Sequence, residues 1–119
     1  MHSIRIHAAG GPEVLSFEEV TLPPPGPGQA VVRHEAIGVN FIDVYHRMGL
    51  YPTARPFTPG LEAAGVGEGV GEGVTSVRAG DQVAYADALG AYAEAAVVPA
   101  DRLVPVPAGV SSEDAAALM

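Results

Sequence analysis

Glycine and proline set the terms on which this chain can fold. Fifteen glycines and eleven prolines are spread over 119 residues, and they fall between short apolar runs. Proline lacks an amide donor and has a fixed φ, while glycine admits turn conformations closed to other residues. Such punctuation predicts a mainly β protein of short strands joined by turns. "SIRIH" (3–7) alternates with a period of two and reads as a half-buried or edge strand. "GGPEV" (10–14) reads as a turn and "LSFEEVTL" (15–22) as a second strand. "PPPGPG" (23–28) can be neither helix nor central strand, so it is a stiff loop.

"QAVVRHEAIGV" (29–39) is the longest strand candidate, and the pattern then changes. In "NFIDVYHRMG" (40–49), Phe41, Val44, Tyr45 and Met48 recur at helical spacing, with Gly49 where a C-cap residue would sit. Strand character returns in residues 62–77, 79–86, 90–99 and 101–107. The tandem "GEGVGEGV" (67–74) invites comparison with a phosphate loop. A GxGxxG register would need glycine at Glu72 or Val74, and no helix follows. A hairpin with a glycine-rich turn fits better. "SSEDAAALM" (111–119) places Ser111 and Asp114 in capping-box spacing ahead of strong helix formers. That helix stops at Met119 after about two turns, too short to stand alone, which reads as a chain cut inside a helix. Residues 1–110 are therefore expected to form one domain and 111–119 the start of a connecting helix.

Several function classes are disfavoured by composition. With 14 acidic against 6 basic residues the formal charge is −8, and no basic cluster of the kind that tracks phosphates is present, so nucleic acid is not an expected partner. Zero cysteines exclude disulfides, thiolate zinc sites and thiol nucleophiles. No apolar run approaches the ~20 residues of a bilayer span, and "MHSIRIHAAGG" has no signal core. A soluble, cytoplasmic protein without a membrane partner is expected. His2, His7, His34 and His46 contain no HxxxH pair, and no serine sits in a G-x-S-x-G elbow. Asp43 and Glu62 are the only plausible pair of buried acids.

One stretch concentrates the hydrogen-bonding side chains. "AIGVNFIDVYHRMGLYP" (36–52) holds Asn40, Asp43, Tyr45, His46, Arg47 and Tyr51, with "FTPGLEAAG" (57–65) close behind. Asn40 and Asp43 fit an N-cap and N3 pairing that needs no function, and the tyrosines could be rim residues with buried rings and wet hydroxyls. Clustering argues for more. Phenols and amides offer oriented hydrogen bonds to a carbonyl-type oxygen without a metal. Such a site suits hydride transfer to a quinone or activated alkene, the cofactor carrying the difficult chemistry.

"GGPEVL", "AIGVNFIDVYHRMGLYP", "PGLEAAGVGEGVGEGV", "AGDQVAYA", "GAYAEAAVVPADRLVPVP" and "SSEDAAAL" occur in an order that resembles the quinone oxidoreductases. These form the zinc-free, zeta-crystallin-like branch of the medium-chain dehydrogenase/reductase superfamily. The resemblance covers essentially the whole chain. It implies a GroES-like, partly open β-barrel, the substrate-side domain, followed by a Rossmann-type domain that binds NADPH. Zinc-dependent relatives would carry cysteine at Asn40 and histidine at Leu61, so the resemblance implies no metal. By resemblance, Asn40, Phe41, Ile42, Asp43, Val44 and Tyr45 reach the nicotinamide end of the cofactor. Tyr45 and Tyr51 line the quinone pocket as the catalytic phenols, and Glu62 shapes the substrate cleft. The family's glycine-rich nucleotide loop is missing from these residues, so the chain alone is expected to be inactive, and the full-length enzyme to be a homodimer. A stand-alone GroES-like binding module and a reductase of α,β-unsaturated carbonyls are the alternatives.

Overall fold

The computed structural model describes residues 1–51 and 53–118. Pro52, at the end of the polar stretch, and Met119, at which the last helix is expected to be cut, lie outside the described residues. Two strands, β1 (His2–Arg5) and β2 (Ser16–Glu19), form an antiparallel hairpin. A short 3-10 turn, Pro12–Val14, occupies the predicted turn between them. A five-stranded sheet contains β3 (Gln29–Ile37), β4 (Ala63–Val70), β5 (Gln82–Tyr85), β6 (Ala95–Pro99) and β7 (Val104–Pro105), in the spatial order β6-β3-β4-β5-β7. The hairpin is stitched on by a Ser3–Ala93 bridge and an Ile6–Phe57 bridge. Among the described residues the two sheets do not close on each other, which makes the mainly β, partly open barrel expected from the sequence.

Small residues let both faces of the central strands be covered. Ala63, Val83 and Tyr85 point into the main core with Ala30, Val32 and Val98. Their neighbours Ala64 and Ala84 point the other way and pack against Ala115 and Ala116 of helix α2 (Ser112–Leu118). Side chains alternate across a strand, and alanine on the outer face lets the helix approach closely. The Asp114 N–H bonds to Ser111 Oγ at 3.1 Å, so the expected N-terminal cap is present. Ser112 Oγ reaches Glu35 Oε1 on β3 at 2.6 Å, tying the helix to the sheet.

Three strand expectations need correction. Gly67 and Gly69 belong to β4, not to a turn. The chain reverses beyond them and returns as β5 only at Gln82; Gly71, just past β4, packs so close to the proline-rich loop that a Cβ there would lie 1.8 Å from the Gly26 carbonyl oxygen. "DRLVPVP" supplies only the two-residue β7, since Ala100–Arg102 turns as a 3-10 helix and proline limits the ladder. The strand predicted over 15–22 is confined to Ser16–Glu19, ahead of the proline run.

Candidate active site

The polar stretch folds as predicted into helix α1 (Phe41–Met48). Asn40, extended at φ −132°, is its N-cap, and a capping box closes as the Asn40 N–H donates to Asp43 Oδ2 at 3.0 Å. Gly49, at φ 83°, ends the helix in the left-handed conformation, and the Leu50 N–H returns to the Tyr45 carbonyl at 3.0 Å. The helix is fastened at its far end to the 10–14 turn: Arg47 Nε donates to the Gly10 carbonyl at 3.1 Å, and the Gly10 N–H to the Arg47 carbonyl at 3.0 Å.

The helix is mounted with its apolar stripe outward. Phe41 is 83% exposed, Met48 57% and Tyr45 40%, while the buried residue of the helix is Asp43 at 5%. Ile42 and Val44 are half-buried. Burying a carboxylate is costly unless it is paired. Here Tyr92 donates its hydroxyl to Asp43 Oδ2 at 2.7 Å. Burial and the adjacent Asp43 carboxylate push the Tyr92 phenol well above its ordinary pKa, so it stays a hydrogen-bond donor at neutral pH. Sequence reasoning missed Tyr92 because it lies in an alanine-rich run with no recognisable spacing to Asp43.

Tyr45 and Tyr51 are brought together by the Gly49 turn. Their ring centroids are 6.0 Å apart in an edge-to-face arrangement, and His46 meets Tyr51 edge-on at 6.1 Å. Both phenols are exposed. Asn40 and Glu62 form a second group, with Asn40 Nδ2 donating to Glu62 Oε1 at 3.1 Å. These two line a hollow of about 390 Å³ with Gly38, Val39 and Glu113. A larger, mostly apolar hollow of about 510 Å³ opens on the other side of Val39, between Phe17, His34, Ile37 and Tyr92. The phenol pair lines neither hollow. The structure therefore divides the sequence-predicted residues into an amide–carboxylate group at one end of α1 and a phenol pair at the other, joined by the exposed apolar stripe.

His34, on β3, lines the larger hollow and has both ring nitrogens hydrogen-bonded. Its Nδ1 donates to the Ala93 carbonyl at 2.8 Å, which leaves Nε2 to accept from the Tyr85 hydroxyl at 2.8 Å. Burial lowers the His34 pKa and raises that of Tyr85, so both are held neutral. Among the described residues no group of three or more His, Cys, Asp or Glu side chains is arranged to hold a metal ion.

A mainly β, partly open barrel of this strand order is the architecture of a GroES-like domain. Residues 26–108 match the alcohol dehydrogenase GroES-like domain, and the chain belongs to that family. Within it, the chain is 48% identical over 118 residues to a quinone oxidoreductase of Pseudomonas aeruginosa, covering 98% of this chain and 36% of that protein. It is 44% identical over 114 residues to a 2-haloacrylate reductase of a Burkholderia species, covering 92% of this chain and 34% of that one. The crystal structure of Escherichia coli quinone oxidoreductase complexed with NADPH superimposes with a TM-score of 0.97 at 45% identity, covering all of this chain and 37% of that one. The chain thus spans about a third of the length of the relatives it matches.

Proposed function

We propose that this chain is the substrate-side domain of a zinc-free, NADPH-dependent quinone oxidoreductase, whose cleft forms between this domain and a nucleotide-binding domain. The observation that carries the reading is the outward apolar stripe of α1, flanked by Asn40 at one end and Tyr45 and Tyr51 at the other. An exposed apolar surface with a few convergent polar groups suits a flat, largely apolar ring. These residues fit the nicotinamide end of NADPH: the 40–45 segment offers an exposed apolar face. Among the described residues the one glycine repeat offers no phosphate cradle, because "GEGVGEGV" begins inside β4 and is followed by β5, not by a helix N-terminus. The phosphates would be held by the other domain.

NADPH supplies the hydride when bound. The chain's own contribution is positional. Phe41 and Tyr45 give the ring a surface to lie against, and the Tyr45 and Tyr51 hydroxyls are placed to donate to an acceptor oxygen as it gains charge. The proton that completes the hydroquinone comes from solvent or from a phenol. Asp43 acts indirectly, holding the helix at its fixed angle through the cap and Tyr92. We also propose that the reductase is a cytoplasmic homodimer and that the 119-residue chain is inactive without its nucleotide domain.

The test is NADPH oxidation by the full-length protein with 1,4-benzoquinone, before and after exposure to a metal chelator. Quinone-dependent, chelator-insensitive turnover is expected, with none from the 119-residue chain. Absence of quinone-dependent turnover would remove the reading, chelator-sensitive turnover its zinc-free part, and activity of the short chain its inactivity part. The likeness to a 2-haloacrylate reductase favours a second acceptor class, activated alkenes. Faster turnover with 2-haloacrylate than with benzoquinone would transfer the assignment to it.

A further inference from the structure

Asn40 is solvent-exposed, and its hydrogen bonds define one orientation of its amide. Its backbone N–H donates to Asp43 Oδ2 at 3.0 Å, and the Asp43 N–H returns to its carbonyl at 3.0 Å. Its Nδ2 donates to Glu62 Oε1 at 3.1 Å. An ionised carboxylate only accepts hydrogen bonds, so the amide nitrogen must face Glu62, and the amide cannot flip without losing that bond. One Nδ2 hydrogen is thereby used; the second has no partner among the described residues.

Glu62 is itself seated by the absence of a side chain at position 38. A Cβ added to Gly38 would lie 2.2 Å from Glu62 Oε1 and 2.3 Å from its Cγ. The Gly38 N–H also donates to the Glu62 carbonyl at 3.0 Å. Gly38 therefore makes the space that Glu62 fills, and Glu62 in turn sets the amide of Asn40, all on the wall of the 390 Å³ hollow.

We propose that Glu62 is a positioning residue that orients Asn40 so that the free Nδ2–H is a fixed donor to the carbonyl oxygen of the acceptor. This rests on the reductase reading given above. It assigns Glu62 a task distinct from lining a cleft: its carboxylate touches neither cofactor nor acceptor and acts through the amide. An amide held in place donates along one direction, whereas a free one spends most of its time misdirected, and misplacement of a reacting group is costly in rate.

The test uses the full-length protein with Glu62→Ala, Glu62→Gln, Asn40→Ala and the double variant Asn40→Ala/Glu62→Ala. Thermal melts restrict comparison to variants that fold. Glu62→Ala is expected to lower kcat/KM for benzoquinone about ten- to a hundredfold, with the NADPH Kd held within about twofold. Glu62→Gln, which keeps an acceptor oxygen, is expected to restore most of the loss. The double variant should be no worse than Asn40→Ala alone. Multiplying losses, or a Gln variant as poor as the Ala variant, would overturn the proposal. An independent readout is the side-chain ¹⁵N–H signal of Asn40 in the full-length protein, expected to shift in Glu62→Ala. An unshifted signal overturns the proposal even in an active reductase. If the wild type fails to oxidise NADPH with quinone, the reductase reading falls, and this signal still decides whether Glu62 orients Asn40.

Discussion

The Tyr92 hydroxyl donates to Asp43 Oδ2 at 2.7 Å, joining the segment ahead of β6 to the first turn of α1 across 49 residues of sequence. That one bond lets a carboxylate serve as the buried anchor of a helix whose apolar side chains face out. Asp43 Oδ2 also accepts from the Asn40 N–H, so the same oxygen holds the cap and the tertiary contact.

Replacing Tyr92 with Phe leaves the buried carboxylate short of a partner and is expected to cost about 1–3 kcal/mol. Urea denaturation of wild type and Tyr92→Phe measures it. If the bond is what matters, Tyr92→Phe in an Asp43→Ala background should cost much less. An equal cost in both backgrounds would assign the effect to packing alone.

The glycines of β4 differ sharply in what they permit. A Cβ on Gly65 would lie 1.9 Å from the Arg33 carbonyl oxygen, whereas Gly69 has open space. Gly65→Ala should therefore destabilise by about 1–3 kcal/mol or more, since backbone must move. Gly69→Ala should be neutral or stabilising by about 0.4–1 kcal/mol, through loss of unfolded-state freedom. Denaturant midpoints of the two variants, similar in sequence context, check the contrast directly.

Stability should depend on His34 in mildly acidic solution. Burial lowers its pKa below the ordinary value of 6.5, so the unfolded chain binds the proton more readily than the folded one. The contribution is complete above pH 6.5 and is lost as pH falls from there towards the depressed folded value. Midpoints of urea unfolding followed downward from pH 7.5 should decline less steeply in His34→Gln than in wild type over the first part of that fall. Identical slopes would count against the burial of a neutral His34.

In the full-length protein each phenol can be tested for a bond to the acceptor. Tyr45 shares the exposed face of α1 with Phe41, and Tyr51 leans on it edge-on. Tyr45→Phe and Tyr51→Phe keep the rings and remove the donors. Each is expected to lower kcat/KM for quinone by about tenfold if its hydroxyl bonds the acceptor, an effect of about 1.4 kcal/mol. Unchanged kcat and KM in Tyr51→Phe would leave Tyr51 as a packing partner of Tyr45 and His46.

Much of this molecule could be read locally. The bounds of α1 followed from Asn40 and Gly49, the cap of α2 from Ser111, and the short strands from the glycine and proline between them. Each of those signals acts through backbone conformation and hydrogen bonds within about four residues, so a linear reading reaches it. The same reading placed Asn40, Asp43, Tyr45, Tyr51 and Glu62 in one site. It could not divide them into the amide–carboxylate group and the phenol pair, because the Asn40–Glu62 bond crosses 22 residues of sequence.

By itself, then, the sequence determined where α1 begins and ends, where α2 is capped, and that the fold is mainly β; its GroES-like form followed from the resemblance. Only the tertiary structure decided which side of α1 faces the protein. Periodicity marks an apolar stripe but not what covers it. Here the inner face is occupied by Asp43, made affordable by Tyr92, and the stripe is left outward. The pairing of half-buried His34 with buried Tyr85 was settled in the same way, since a polar side chain goes inside only where distant parts of the chain supply its partner.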